Sequence, residues 1–145
     1  VVAIDIDIRK HNLKEIQKHP FYSYIQLIEG SSLDKKIIQK IKNISMKYKK
    51  VLVFLDSNHT HDHVLAELIN YAPLTSKNSY CVLFDTMLEK LPNNFFKDRP
   101  WKKGNNPMSA LKEFLQNNKN FVSDYDIDNK LLISSSPDGY LKRIK

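Results

Sequence analysis

The sequence predicts a mixed α/β domain over residues 1–145, built on a mostly parallel sheet with helices on both faces and closed by a C-terminal antiparallel strand pair. Three observations carry that expectation. Short apolar, β-branched runs recur along the chain, amphipathic segments with helical spacing separate them, and four of the runs end on polar or acidic residues. Strands that are apolar on both faces need a sheet covered on both sides. In open sheets of this class the carboxyl ends of the strands converge on one crevice, where ligands bind.

The first run, Val1-Val2-Ala3-Ile4-Asp5-Ile6-Asp7-Ile8, stops on carboxylates as the second strand of a cofactor-binding sheet does, because an acid there accepts hydrogen bonds from a ribose. A strand and a glycine-rich turn normally come before it, and the expectation is of a domain lacking both. A helix follows from about Asn12 to Lys18, stopped by Pro20. The run Tyr24 to Glu29 is the next strand, ending at Gly30-Ser31-Ser32. Leu33, Ile37, Ile38, Ile41, Ile44 and Tyr48 then recur at helical spacing opposite a lysine-rich face. Val51 to Asp56 reads as a central strand. A polar turn leads to a helix through Val64, Leu65, Leu68 and Ile69, closed by Pro73. Ser79 to Asp85 is the next strand. About twenty residues rich in Pro, Asn and charge form a long connection, and such connections are often functional. The chain finishes with a helix near Pro107 to Gln116 and two strands, about Phe121 to Ile127 and Leu131 to Ser135, joined by Asp128-Asn129.

Composition narrows the function. With 145 residues and 41% hydrophobic content the chain fills one core. No stretch reaches the roughly 18 apolar residues of a membrane span, so no membrane partner is expected. The lone Cys81 lies in an apolar run, which points to a reducing, cytoplasmic setting. Net charge is +7, but the lysines are spread over almost every helix instead of gathered with aromatics on one segment, which argues against a nucleic-acid partner.

The strand ends place Asp5 and Asp7, Glu29 with Ser31 and Ser32, Asp56 with Asn58 and His59, and Asp85 with Thr86 along one edge. Single acids at strand ends are common for turn and capping reasons, whereas the set implies a site. Asp56 and Asp85, leaving neighbouring strands, suit a hard divalent cation, with waters and a substrate hydroxyl completing an octahedron. His59, three residues beyond Asp56, stands where it can take that hydroxyl's proton. His61 and His63 read as helix-start residues facing solvent, and Asp62 as an acid favoured in the first turn of a helix. The run His59-Thr60-His61-Asp62-His63 falls one residue short of the zinc-binding metallo-β-lactamase spacing, and His11 and His19 lie on the wrong side of it.

Together, Asp56-Ser57-Asn58-His59-Thr60-His61-Asp62-His63-Val64-Leu65-Ala66-Glu67-Leu68, Glu29-Gly30-Ser31-Ser32, Arg99-Pro100-Trp101 leading to Gly104-Asn105-Asn106-Pro107, and Ser136-Pro137-Asp138-Gly139-Tyr140-Leu141 resemble the cephalosporin hydroxylase family, which also contains sugar O-methyltransferases. The resemblance implies a Rossmann-like methyltransferase fold and S-adenosylmethionine as cofactor. It implies that Asp5, with Asp7 beside it, holds the cofactor's ribose and that Ser31 and Ser32 line its adenine. Asp56 and Asp85 match metal-binding acids for a divalent cation, expected to be magnesium, with Thr86, Asn58 or water completing the shell. The family often has a further acid where this chain has Phe84. His59 occupies the spacing of the catalytic base of catechol-type methyltransferases, and Trp101 belongs to the connection that would cover the site. The expected reaction is methyl transfer to a hydroxyl of a small-molecule or sugar acceptor, and the oligomeric state stays open, a homo-oligomer being one option. Hydroxylation is less favoured, because no two histidines and a carboxylate have the spacing of a non-haem iron triad. A degenerate, non-catalytic domain and a nucleic-acid binder using the lysine face of the second helix are the alternatives.

Overall fold

The computed structural model describes residues 1–145. They form two compact units, 1–43 and 44–145, and each is described by itself.

In the first unit, β1 (Val2–Asp5) and β2 (Gln26–Glu29) pair in parallel, with Asp5 opposite Glu29. The crossover between them carries α1 (Lys10–Lys18), which turns Leu13 and Ile16 inward and ends at His19, held extended by the following Pro20. Tyr22–Tyr24 form a 3-10 turn, so β2 begins later than the apolar run suggests. After β2 the chain reverses at Gly30, whose φ of +140° is open to glycine alone. Asp34 starts α2 (Lys35–Ser45) by accepting the backbone N–H groups of Lys36 and Ile37, and Ile38 on this helix and Ile28 on β2 are buried. The last two residues of α2 fall in the second unit. The helix stops short of Tyr48, which is exposed.

The second unit is built on a four-stranded sheet in the order β3-β4-β6-β5. Here β3 (Val53–Leu55) runs parallel to β4 (Tyr80–Leu83), and β6 (Tyr140–Arg143) runs antiparallel to both β4 and β5 (Phe121–Ser123). The fold class is therefore mixed α/β, with one parallel pair in each unit, β1 with β2 and β3 with β4, and an antiparallel C-terminal extension of the second. Helices α3 (His61–Tyr71) and α4 (Pro107–Asn117) pack on each other. Val64, Leu68, Leu83, Leu111 and Leu141 form the dry centre of this unit.

The C-terminal pairing departs from the sequence reading in one respect. Residues 125–131 form a helix, α5 (Tyr125–Leu131), and the antiparallel partner of β5 is β6, beyond the run proposed from the sequence. The acids spaced at 124, 126 and 128 explain this. Asp124 caps the helix by accepting the Asp126 N–H, and Asp126 and Asp128 sit in its first turn, where the helix dipole favours negative charge. The connection between β4 and α4 is ordered into 3-10 turns at Thr86–Lys90 and Asn93–Phe96 and a narrow turn bridging Lys102 and Asn105. No helix is long and apolar enough to cross a membrane.

Candidate active site

The parallel pairing of β3 and β4, with Leu55 opposite Leu83, releases Asp56 and the Phe84-Asp85 pair side by side. Two local devices then bring three side chains together. Asn58 Oδ1 accepts both the backbone N–H of Thr60 at 2.8 Å and its hydroxyl at 2.7 Å, a turn that folds His59 back beneath the end of β3. Asp85 adopts left-handed backbone angles, φ 56° and ψ 26°, a conformation that Asp tolerates better than most residues. His59 Nε2 consequently lies 3.2 Å from an Asp85 oxygen and 3.6 Å from an Asp56 oxygen.

These three groups place one ligand atom each within 4.8 Å of one another. An octahedral cation with metal–oxygen distances of about 2.1 Å sets neighbouring donors about 3 Å apart and opposite ones about 4.2 Å apart, so the spacing fits. His59 Nε2 is buried and makes no hydrogen bond, although both acids are within ion-pair range. Its lone pair or proton is thus directed at the space between the carboxylates. Trp101 closes one side, its ring edge-on to the His59 imidazole at 4.8 Å between centroids. Thr86 is fully buried and donates its hydroxyl to the Pro137 carbonyl at 2.6 Å, which fixes the chain just after Asp85.

Behind these groups stands a residue to which the sequence reading assigned no role. Glu67 is buried on the apolar face of α3 with Val64, Leu68 and Tyr71. It accepts the Ser57 hydroxyl at 2.7 Å and lies 3.4 Å from His63 Nε2, so it ties the turn after Asp56 to α3. An acid at helical spacing among apolar residues was the signal for it. His61 and His63 are likewise not solvent-facing. His61 bridges to α4, with Nδ1 2.8 Å from Ser109 Oγ and Nε2 3.1 Å from Glu113. Asp62 is exposed in the first turn of α3, as expected.

Two of the quoted motifs are structural. Asn106 is the buried cap of α4, accepting the N–H groups of Met108 and Ser109 while Ser109 Oγ accepts the Asn106 N–H, with Pro107 in the first turn. Its amide also donates to Glu89, and the Asn105 side chain accepts the His61 N–H at 2.8 Å. Burial alone would raise the Glu89 pKa, but the Gly104 N–H, the Asn106 amide and the nearby Lys112 and Lys103 together hold it below the usual value. In the C-terminal motif, Gly139 lies flat against the Leu83 carbonyl, leaving no room for a Cβ, and Leu83 donates its N–H to the Gly139 carbonyl at 2.9 Å. The motif therefore buttresses the strand that carries Asp85.

In the first unit, Asp5, Ser31 and Ser32 lie at the same end of β1 and β2, joined where the Gly30 N–H donates to the Asp5 carbonyl at 2.8 Å. The Asp5 carboxylate accepts the Asp7 N–H at 3.0 Å, and Ser31 Oγ accepts the Leu33 N–H. Asp7 is exposed and 3.7 Å from Arg9. Asp5 and the Asp56–His59–Asp85 group belong to different units, each described separately.

The chain belongs to the family described as rhamnosyl O-methyltransferase/CmcI, whose profile it matches over residues 1–144. Among individual proteins, it is 30% identical over 123 residues to the rhamnosyl O-methyltransferases of Mycobacterium tuberculosis H37Rv and Mycobacterium bovis BCG, a match covering 82% of this chain and 47% of theirs. The chain thus spans about half the length of the curated relatives it matches. Among solved structures it is similar to the MycE methyltransferase of the mycinamycin biosynthetic pathway, in complex with Mg and SAH. The TM-score is 0.49 and the identity 18%, over 79% of this chain and 27% of that one.

Proposed function

We propose that the protein is an S-adenosylmethionine-dependent O-methyltransferase acting with a divalent cation on a hydroxyl of a sugar or other small molecule. The observation that carries this reading is the Asp56–His59–Asp85 group, at the ends of two parallel strands in a chain of this family. When bound, the cation lowers the acceptor hydroxyl's pKa and fixes its position. Asp56 and Asp85 would hold it, with Phe84 in place of a further acid. His59 would take the acceptor hydroxyl's proton, and S-adenosylmethionine, when bound, would supply the methyl group. Trp101 keeps water from the imidazole. Asp5 would receive the ribose hydroxyls and Ser31 and Ser32 would flank the adenine, with Asp7 as a further acid beside Asp5. A single imidazole beside two carboxylates reverses the donor set of a two-histidine iron oxygenase, which favours methyl transfer over hydroxylation.

The buried, unbonded Nε2 between the two acids supports a second reading, in which His59 is the cation's third donor instead of the base. Titration of the full-length protein with Mn2+, followed by methyl-transfer assay, tests both. Asp85→Asn keeps the backbone preference and removes the charge, and it should weaken Mn2+ binding by about tenfold or more; unchanged affinity would sink the cation site. His59→Ala that keeps Mn2+ affinity but abolishes turnover identifies the base. A parallel loss of Mn2+ affinity identifies the ligand.

A further inference from the structure

The connection between β4 and α4 carries a feature that the methyl-transfer reading does not use. A cavity of about 550 Å³ is lined by Asn93, Phe96, Lys97, Arg99, Lys102 and Lys103. Its floor is the buried Phe96, and its rim is four exposed cations contributed by seven consecutive residues. None of the four makes a salt bridge. Asp98 falls in the same stretch but does not line the cavity, and Glu89, which Lys103 approaches, is already engaged by the Gly104 N–H and the Asn106 amide. Four of the chain's 23 lysines and arginines stand here on one segment with aromatics.

Four like charges around a hollow repel one another, and an anion at its centre offsets that repulsion. Lysine ammonium groups and a planar arginine fork are the donors that suit phosphate, and the cavity lies within the roughly 300–1,000 Å³ of small-molecule sites. Its position also has consequences. The Arg99 guanidinium carbon sits 5.3 Å from the centroid of the Trp101 ring, and the same ring meets the His59 imidazole. One aromatic side chain therefore separates the cationic hollow from the proposed acceptor site.

We propose that this hollow binds the phosphate or diphosphate of the acceptor, so that the molecule methylated is a phosphorylated small molecule, a sugar phosphate or nucleotide-linked sugar. The phosphate site stands on its own geometry, and only its assignment to an acceptor rests on the methyl-transfer reading. The test is calorimetric titration of the full-length protein with inorganic pyrophosphate in cation-free buffer. Lys97→Glu/Lys102→Glu should weaken binding at least about tenfold, since charge-assisted contacts to phosphate are worth a factor of that size or more. The same charge change on α2, Lys36→Glu/Lys40→Glu, should leave binding unaltered. Equal binding by all three proteins overturns the site, as does failure to bind pyrophosphate with retention of a single-stranded RNA 12-mer, which would make the hollow a nucleic-acid surface. A separate Mn2+ titration distinguishes the two claims. Protein that takes pyrophosphate but not Mn2+ keeps the phosphate site and loses its assignment to an acceptor.

Discussion

Asp85 shows how much a single backbone conformation can do. In ordinary extended geometry a residue leaving β4 would continue along the strand, whereas the left-handed turn at φ 56° redirects its carboxylate toward His59 and Asp56. Such a conformation costs on the order of 1 kcal/mol for a non-glycine residue and persists only where neighbours over-determine it. Thr86, fastened to Pro137, is one such neighbour. Cys81, on the same strand, has no part in this chemistry. Burial, with a smaller contribution from the Glu67 charge, pushes its thiol up to about 12. The native protein should therefore resist thiol-specific reagents at pH 8, reacting only on unfolding. Rapid labelling of the folded chain by Ellman's reagent would contradict this.

At the scale of elements, the site depends on how the sheet strands are buttressed. Gly139 lies where β6 crosses the end of β4, and a methyl group there would collide with the Leu83 carbonyl, a backbone atom unable to move aside. Gly139→Ala should therefore destabilise the protein by about 2–3 kcal/mol in urea unfolding and weaken Mn2+ binding through displacement of Asp85. A fully stable variant would show that β4 and β6 can separate freely. The connection from β4 to α4 is held by Glu89, which fastens Gly104 and Asn106. Its folded pKa lies below the unfolded value, so its stabilisation is fully present above the ordinary glutamate range and is lost as pH falls through the folded pKa. Stability measured between pH 6 and pH 3 should fall less steeply in Glu89→Gln than in the parent, and parallel curves would remove Glu89 from that role.

For the whole molecule, the proposed cation site would link binding to folding of the second unit, because Asp56, His59 and Asp85 come from segments adjacent only in the folded sheet. Mass action then predicts that Mn2+ at 100 times its dissociation constant stabilises that unit by about 2.7 kcal/mol. Thermal unfolding followed by the emission of Trp101, the single tryptophan, should shift upward with Mn2+, and the shift should vanish in Asp85→Asn. An equal shift in both proteins would assign the stabilisation to non-specific ion binding.

Sequence alone determined the order of the main elements as far as β5, the apolar spacing of Val64 and Leu68 in α3 and the strand ends where acids gather, because these rest on periodicity and on charge at fixed positions. The proximity of Asp56, His59 and Asp85 was legible for that reason, and so, at the level of rhamnosyl O-methyltransferase/CmcI kinship, was the family. Only the tertiary structure decided that residues 125–131 coil instead of pairing, that Thr86 bonds Pro137, that His61 and His63 meet acidic partners, that Glu67 braces the turn and that four cations surround one hollow. The placements of Thr86, His61 and Gly139 turn on partners far away in the chain, whereas the helix over 125–131 is favoured by its own acids. Thr86 is set by Pro137, His61 by Ser109 and Glu113, and Gly139 by the Leu83 backbone. Local propensity carries no information about such contacts, since hydrogen-bond geometry and steric exclusion act only once the chain is folded.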